Sequence, residues 1–86
     1  MSGLLDSHDL DALVTHGLAV AISDAEILAV GHAWQAARLA VDFARNLAGT
    51  QAASLAERRA EEKIAVLRGL VQRMDCDFQE AILTQY

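Results

Sequence analysis

The stretch SDAEILAVGHAWQAARLAVDFARNLAG, residues 23–49, decides the fold of this chain of 86 residues. It opens with a capping box, in which the Ser23 hydroxyl can accept a hydrogen bond from the Glu26 amide while the Glu26 carboxylate reaches back to the Ser23 amide. Gly49 suits the left-handed conformation that commonly follows the last residue of a helix. We therefore predict a helix over residues 24–48.

Apolar side chains cover most of the circumference of this predicted helix. Its polar residues form one narrow stripe: Gln35, Arg38, Asp42 and Arg45. A helix that is apolar nearly all round must be covered from more than one side, and we expect that two other helices of so short a chain do not suffice. We therefore predict that a partner covers the rest. The predicted interface residues are Leu28, Val30, Gly31, Trp34, Ala37, Val41 and Phe43, together with Phe78 from the C-terminal segment.

Two of these interface residues have alternative interpretations. Trp34 is either the core anchor of the single chain or the hot spot of an interface, and both roles are compatible in an intertwined dimer. Gly31 costs about 1 kcal/mol relative to alanine in the middle of a helix. It either allows another helix backbone to approach closely or is simply tolerated at the surface.

A shorter helix is predicted before this segment, over residues 7–21. It opens near Asp6 or Ser7, where Asp6 can cap the first turn. Gly17 leaves the end of the helix open, because either the helix runs to about Ala21 or Gly17 stops it.

A third helix is predicted over residues 51–84, with Thr50 as its N-cap and no proline to interrupt it. Its apolar residues lie three or four positions apart, which is typical of an amphipathic helix. They are Ala56, Ala60, Ile64, Leu67, Val71, Met74, Phe78 and Ile82.

The composition agrees with helix throughout. The chain has 17 alanines, 12 leucines and no proline, and alanine and leucine have the highest helix propensities. The predicted fold class is therefore all-α: a single domain over residues 1–86, built as a three-helix bundle or as a long helical hairpin with a short N-terminal helix packed across it, and associating as a dimer.

The charge of the chain argues against several classes of partner. The net charge is −5, and no Lys or Arg occurs before Arg38. Binding to nucleic acid or to anionic lipid relies on Lys and Arg, so we expect neither. No apolar run approaches the ~20 residues of a membrane span and no signal peptide is evident. With Cys76 as the single cysteine, we expect the cytoplasm.

No constellation of residues predicts catalysis, a cofactor or a metal ion. Zinc ligands on one helix face lie three or four residues apart, and no two histidines have this spacing. The chain's histidines are His8, His16 and His32. Cys76 lies between two aspartates, whose charges disfavour the thiolate. We therefore predict no catalytic, cofactor or metal site and no small-molecule substrate.

The segments Glu61–Arg68 and Phe78–Ile82 resemble the last two helices of the all-helical chorismate mutases in the spacing of their apolar and polar residues. Those enzymes are three-helix dimers of comparable length. The resemblance implies a small enzyme with an anion-binding site between subunits, where cationic side chains, one of them from the first helix, bind a dicarboxylate. This chain has no Lys or Arg in its first predicted helix. The cationic candidates are Arg38, Arg45, Arg58, Arg59, Lys63 and Arg68.

A second alternative comes from Ile22–Ile27, which resembles the turn and second-helix start of a helix-turn-helix. That resemblance implies a DNA-binding regulator. The usual turn glycine is missing, and Asp24, Glu26 and His32 occupy positions that would face phosphates.

The function that these observations favour is that of a non-enzymatic helical interaction module. Such a module acts as an adaptor, a small chaperone or an anti-activator, and it works through an apolar helical face. Its partner is another protein or a second copy of the chain, and we expect a homo-oligomer.

Overall fold

A computed structural model describes residues 7–84, with side chains described from residue 9 onward. Within this part the chain forms three helices and no strand: α1 (Ser7–Val20), α2 (Asp24–Asn46) and α3 (Ala53–Thr84). The predicted all-α fold class is confirmed.

The capping box at the start of α2 forms with one difference from the prediction. The Ser23 hydroxyl accepts a hydrogen bond from the Glu26 amide at 3.2 Å, as predicted. The Glu26 carboxylate, however, accepts from the amide of Ile22 at 2.8 Å and not from that of Ser23. Ile22 lies in the short connection between α1 and α2. Its amide has no acceptor within a helix and donates its hydrogen bond to the Glu26 carboxylate instead.

Gly17 does not stop α1, which continues through it to Val20. The glycine is buried at a close approach between helices: a Cβ built on it would lie 3.0 Å from Val71 Cγ2 and 3.4 Å from both γ-carbons of Val30. The absence of a side chain therefore lets α1 pack near both other helices. The predicted cap at Asp6 lies outside the described residues.

The connection between α2 and α3 differs from the prediction at Thr50. Its hydroxyl donates a hydrogen bond to the Leu47 carbonyl at 2.6 Å, so this side chain satisfies the end of α2 and is not the N-cap of α3. The chain completes the turn that follows α2 before the next helix starts, so α3 begins at Ala53. Gly49 has φ +85°, the left-handed conformation predicted for it.

The core lies where the three helices meet, and among the described residues no polar or charged side chain is buried. Small residues are frequent in it, which brings the backbones of α2 and α3 close together. The buried residues are Leu10 and Val20 from α1, Val30, Ala37, Val41 and Ala44 from α2, and Ala56, Ala60, Ile64, Leu67, Val71 and Met74 from α3.

The molecule is elongated, with extents of 55 × 22 × 18 Å and a Cα radius of gyration of 14.9 Å. A compact chain of this length has a radius of gyration of about 12 Å. The accessible surface is 5965 Å², against roughly 5000 Å² for a compact monomer of this mass. The chain therefore leaves more surface open than a compact protein of its size.

Much of that surface is open because α1 is short. It has 14 residues against 23 in α2 and 32 in α3, which corresponds to about 21 Å of helix beside about 35 Å and about 48 Å. α1 contacts both other helices, and His16 Nε2 lies 3.7 Å from Asp75 Oδ1 of α3. One short helix cannot cover the length of the α2–α3 hairpin.

Replacing Ser23 by alanine is expected to destabilise the protein by about 1 kcal/mol, because the Glu26 amide loses its acceptor. Urea unfolding followed by circular dichroism measures the change. Ser23→Thr, which keeps a hydroxyl acceptor, is the control and should cost only a few tenths of a kcal/mol. Equal stability of Ser23→Ala and the unmodified protein would contradict the role of this cap.

Two glycines provide a matched test of the packing of α1. Gly31→Ala is expected to raise the free energy of unfolding by roughly 0.5–1 kcal/mol, because a Cβ there meets nothing within 4 Å and alanine is the better helix former. Gly17→Ala is expected to give no such gain, because its Cβ would press on Val71. If thermal unfolding showed the two variants equally stabilised, the close packing at Gly17 would be wrong.

Candidate protein-binding groove

α2 carries two adjacent apolar stripes, each with residues three or four positions apart. The first stripe is buried against the rest of the chain and contains Val30, Ala37, Val41 and Ala44. The second stripe is displaced by one residue and is only partly covered, with Phe43 58% exposed. Its members are Ala29, Ala33, Ala36, Ala40, Phe43 and Leu47.

The second stripe forms one wall of a groove, and α3 forms the other. Two of the depressions along this groove share Phe43, Ala56 and Arg59, and a third lies further along the same two helices, between Ala33 and Leu70. None of the α1 residues whose side chains are described lines any of them. The groove therefore runs along the side of the hairpin that α1 leaves open. We call it the α2–α3 groove; its α3 wall comprises Ala56, Arg59, Lys63, Val66, Leu70 and Arg73.

Large apolar side chains stand exposed along this groove. Leu39 is 64% exposed, Val66 is 62% exposed, and Leu55 is exposed beside the α2–α3 connection. Alanines such as Ala40 form the floor between them. Exposed apolar side chains that lie together around a depression are a feature of interaction sites.

The charged residues of the α2–α3 groove are all basic. Among the described residues, Arg59, Lys63 and Arg73 line its α3 wall, and the α2 wall contributes the imidazole of His32, which is not counted among the charges. No Asp or Glu is among the lining residues, although acidic residues outnumber basic ones in the chain as a whole.

Three of the predicted interface residues belong to the core of the single chain. Val30 and Ala37 are 0% exposed, and Val41 is 1% exposed. They lie on the first stripe of α2, which α1 and α3 cover, so in this fold they are closed to a partner. Gly31 is half-buried, and a Cβ built on it meets nothing within 4 Å, so no other described helix approaches it closely.

The remaining predicted interface residues are at least partly accessible. Phe43 lines the α2–α3 groove, whereas Leu28 is exposed but lines none of its depressions. Phe78 and Trp34 are half-buried and pack against the core. The structure thus brings only Phe43 from the predicted set into the groove.

Trp34 has features of a core residue. Its ring packs against the core, and the guanidinium carbon of Arg38 lies 5.4 Å from the ring centroid. Its Nε1 is buried and has no hydrogen-bond partner among the described residues. It lines no part of the α2–α3 groove.

Sequence reasoning missed most of the groove, including Leu39, Ala40, Leu55 and Val66. The signal that could have found the α2 wall is the second stripe. It repeats the spacing of the first stripe, shifted by one residue toward the N-terminus. Two stripes side by side indicate a helix with neighbours on two sides.

The cations proposed for an enzymatic site do not converge on one pocket. Arg59 and Lys63 meet in the groove, and Arg38 lies over Trp34. The others are exposed and line none of the groove depressions: Arg45, Arg58 and Arg68. Among the described residues, no Asp or Glu lines the groove with Arg59 and Lys63.

In the part of the chain that the structure describes, no helix is long and apolar enough to cross a membrane. No three His, Cys, Asp or Glu side chains in that same part stand close enough to hold a metal ion. No family model, curated protein or solved structure matches this chain significantly.

Two leucines distinguish the core from the groove. Leu67→Ala is expected to destabilise the protein by about 2–5 kcal/mol, since Leu67 is fully buried and its removal leaves a cavity. Leu39→Ala is expected to change the stability by no more than about 0.5 kcal/mol, because the side chain is exposed. Urea unfolding of both variants compares them, and a large loss from Leu39→Ala would mean that this face is already covered.

Proposed function

We propose that this protein is a non-enzymatic helical interaction module, and that it binds a helix of another protein in the α2–α3 groove. The observation that carries the proposal is the second apolar stripe of α2, which the described chain leaves partly uncovered. Adaptors, small chaperones and anti-activators are the classes of protein that this description fits. The single exposed cysteine, Cys76, favours a reducing compartment such as the cytoplasm.

The shape of the groove suits a helix better than it suits a small molecule. It is open along its length, and from Ala29 to Leu47 it follows α2 for about 27 Å. Exposed apolar side chains stand along this length, with alanines between them. An amphipathic helix binds such a groove through apolar residues three or four positions apart.

A helix in the groove would complete a familiar arrangement. We propose that α1 packs across one side of the α2–α3 hairpin and that the guest helix packs on the other. The result resembles a four-helix bundle, in which each helix buries one apolar face. α2 would then have neighbours for both of its stripes.

A second copy of the chain is the alternative guest, in line with the homo-oligomer expected from the sequence. The favouring observation is the large accessible surface of the single chain, 5965 Å². Sedimentation equilibrium distinguishes the two cases, because a second copy gives a dimer of the isolated protein whereas a different partner leaves it monomeric.

The proposal is tested by comparing how much partner protein is retained by the unmodified chain and by a variant whose groove is blocked with charged residues. Ala40→Glu/Phe43→Glu places two carboxylates in the groove, and Gln35→Glu/Asn46→Glu makes the same charge change at exposed positions of α2 outside the groove lining. Each purified protein is immobilised, exposed to an extract of the native host, and the retained proteins are quantified by mass spectrometry. Circular dichroism verifies that both variants keep their helices.

We expect the unmodified protein and the Gln35→Glu/Asn46→Glu control to retain the same partner, and the groove variant to retain at least tenfold less of it. Charge in the groove lowers binding because the apolar guest residues would be buried against carboxylates. Equal retention by all three proteins would show that the groove is not the binding site.

A further inference from the structure

The charge of the α2–α3 groove is opposite to that of the protein. The chain has a net charge of −5, yet three basic residues and no acidic residue line the groove. Such a local reversal selects among apolar helices by their charge, because complementary charges favour one partner and like charges reject another.

The basic residues also have a definite geometry. Arg59, Lys63 and Arg73 all lie on the α3 wall, whereas the α2 wall consists of alanine and larger apolar residues apart from His32. Arg59 and Lys63 are one helical turn apart, and Arg73 lies about 15 Å further along α3. A guest helix in the groove therefore meets cations along one flank only.

These cations have no charged partner of their own. Among the described residues, no carboxylate lies within salt-bridge distance of Arg59, Lys63 or Arg73. A guest helix that covers the groove removes water from the aliphatic stems of Arg59 and Lys63 and from part of their charged ends. Because an unpaired charge is costly to desolvate, a guest that supplies carboxylates is favoured over one that does not.

We propose that the partner is an acidic amphipathic helix of another protein, about 18 residues long, with apolar residues on one face and Asp or Glu along the flank that faces α3. This inference rests on the proposed function of the groove and specifies its partner.

A symmetric pair of copies fits this groove less well. In a two-fold dimer each copy presents the same surface to the other. Neither wall of the groove includes an acidic residue, so two copies packed groove to groove would leave all of their groove cations unpaired. The charge thus favours a different protein as the occupant.

The test uses the full chain and three fluorescently labelled peptides of 18 residues. The acidic peptide has leucines three and four positions apart with glutamates beside them, the basic peptide replaces the glutamates by lysines, and the polar peptide keeps the glutamates but replaces the leucines by glutamines. Fluorescence anisotropy measures their binding. We expect the acidic peptide to bind at least tenfold more tightly than either of the others, and added salt to weaken it.

Charge reversal in the groove provides the matched variants. In Arg59→Glu/Lys63→Glu we expect the acidic peptide to bind at least tenfold more weakly and the basic peptide to bind more tightly. Arg58→Glu/Arg68→Glu makes the same change in net charge at exposed positions outside the groove lining. That control should leave the affinity for the acidic peptide within about threefold, since only long-range attraction is reduced.

The outcomes separate this inference from the proposed function. If the basic peptide binds as tightly as the acidic one and Ala40→Glu/Phe43→Glu weakens both, the groove binds helices but the acidic partner is wrong. If no peptide binds and the blocked groove still captures the partner from extract, both are wrong. If the isolated protein is a dimer that the acidic peptide does not dissociate and that the blocked groove abolishes, the occupant is a second copy.

Discussion

The constraint on which the structure depends is the apolar surface of α2, which exceeds what the described residues cover. Val41 lies on a stripe that α1 and α3 bury, whereas Phe43, two residues later, lies on a stripe that only α3 flanks. A helix with apolar residues on two sides needs neighbours on two sides. The described chain supplies α3 and one short helix, so one groove of the hairpin is filled and the other is open.

The small residues of the hairpin explain why this open side is a groove. Ala37, Ala44, Ala56 and Ala60 are buried between α2 and α3, and side chains of this size let helix backbones approach closely. The alanines of the second stripe then form a low floor, with the larger side chains rising on either side of it. Basic residues lie on one wall of this groove, and the proposed preference for an acidic helix rests on them.

Local signals in the sequence predicted the helices better than they predicted the connections. The Ser23 cap and the stripe through Ile64 and Met74 depend on short-range spacing, and both are seen. Thr50 was misassigned because its hydroxyl has carbonyls within reach on one side and free amides on the other, and spacing alone does not choose between them. Gly17 could not be interpreted because its role depends on how close α1 comes to Val71.

The candidate site was predictable only in outline. The excess apolar surface of α2 is evident from the sequence, but which stripe the chain covers depends on the side on which α1 docks. For this reason Val30 and Val41 were assigned to an interface and lie in the core, while Leu39 and Val66 were overlooked and lie exposed. The groove combines the α3 residues from Arg59 to Arg73 with a distant stretch of α2, and only the paired helices bring them together.

The most direct measurement of the central claim is photo-crosslinking in the native host. A photoreactive benzophenone amino acid replaces Phe43, an aromatic position in the groove, or Gln35, an exposed position on α2 outside the groove lining. An uncovered apolar groove that binds a helix predicts a discrete adduct with another polypeptide from position 43 and none from position 35. Adducts of equal yield from both positions, or no adduct from position 43, would contradict it.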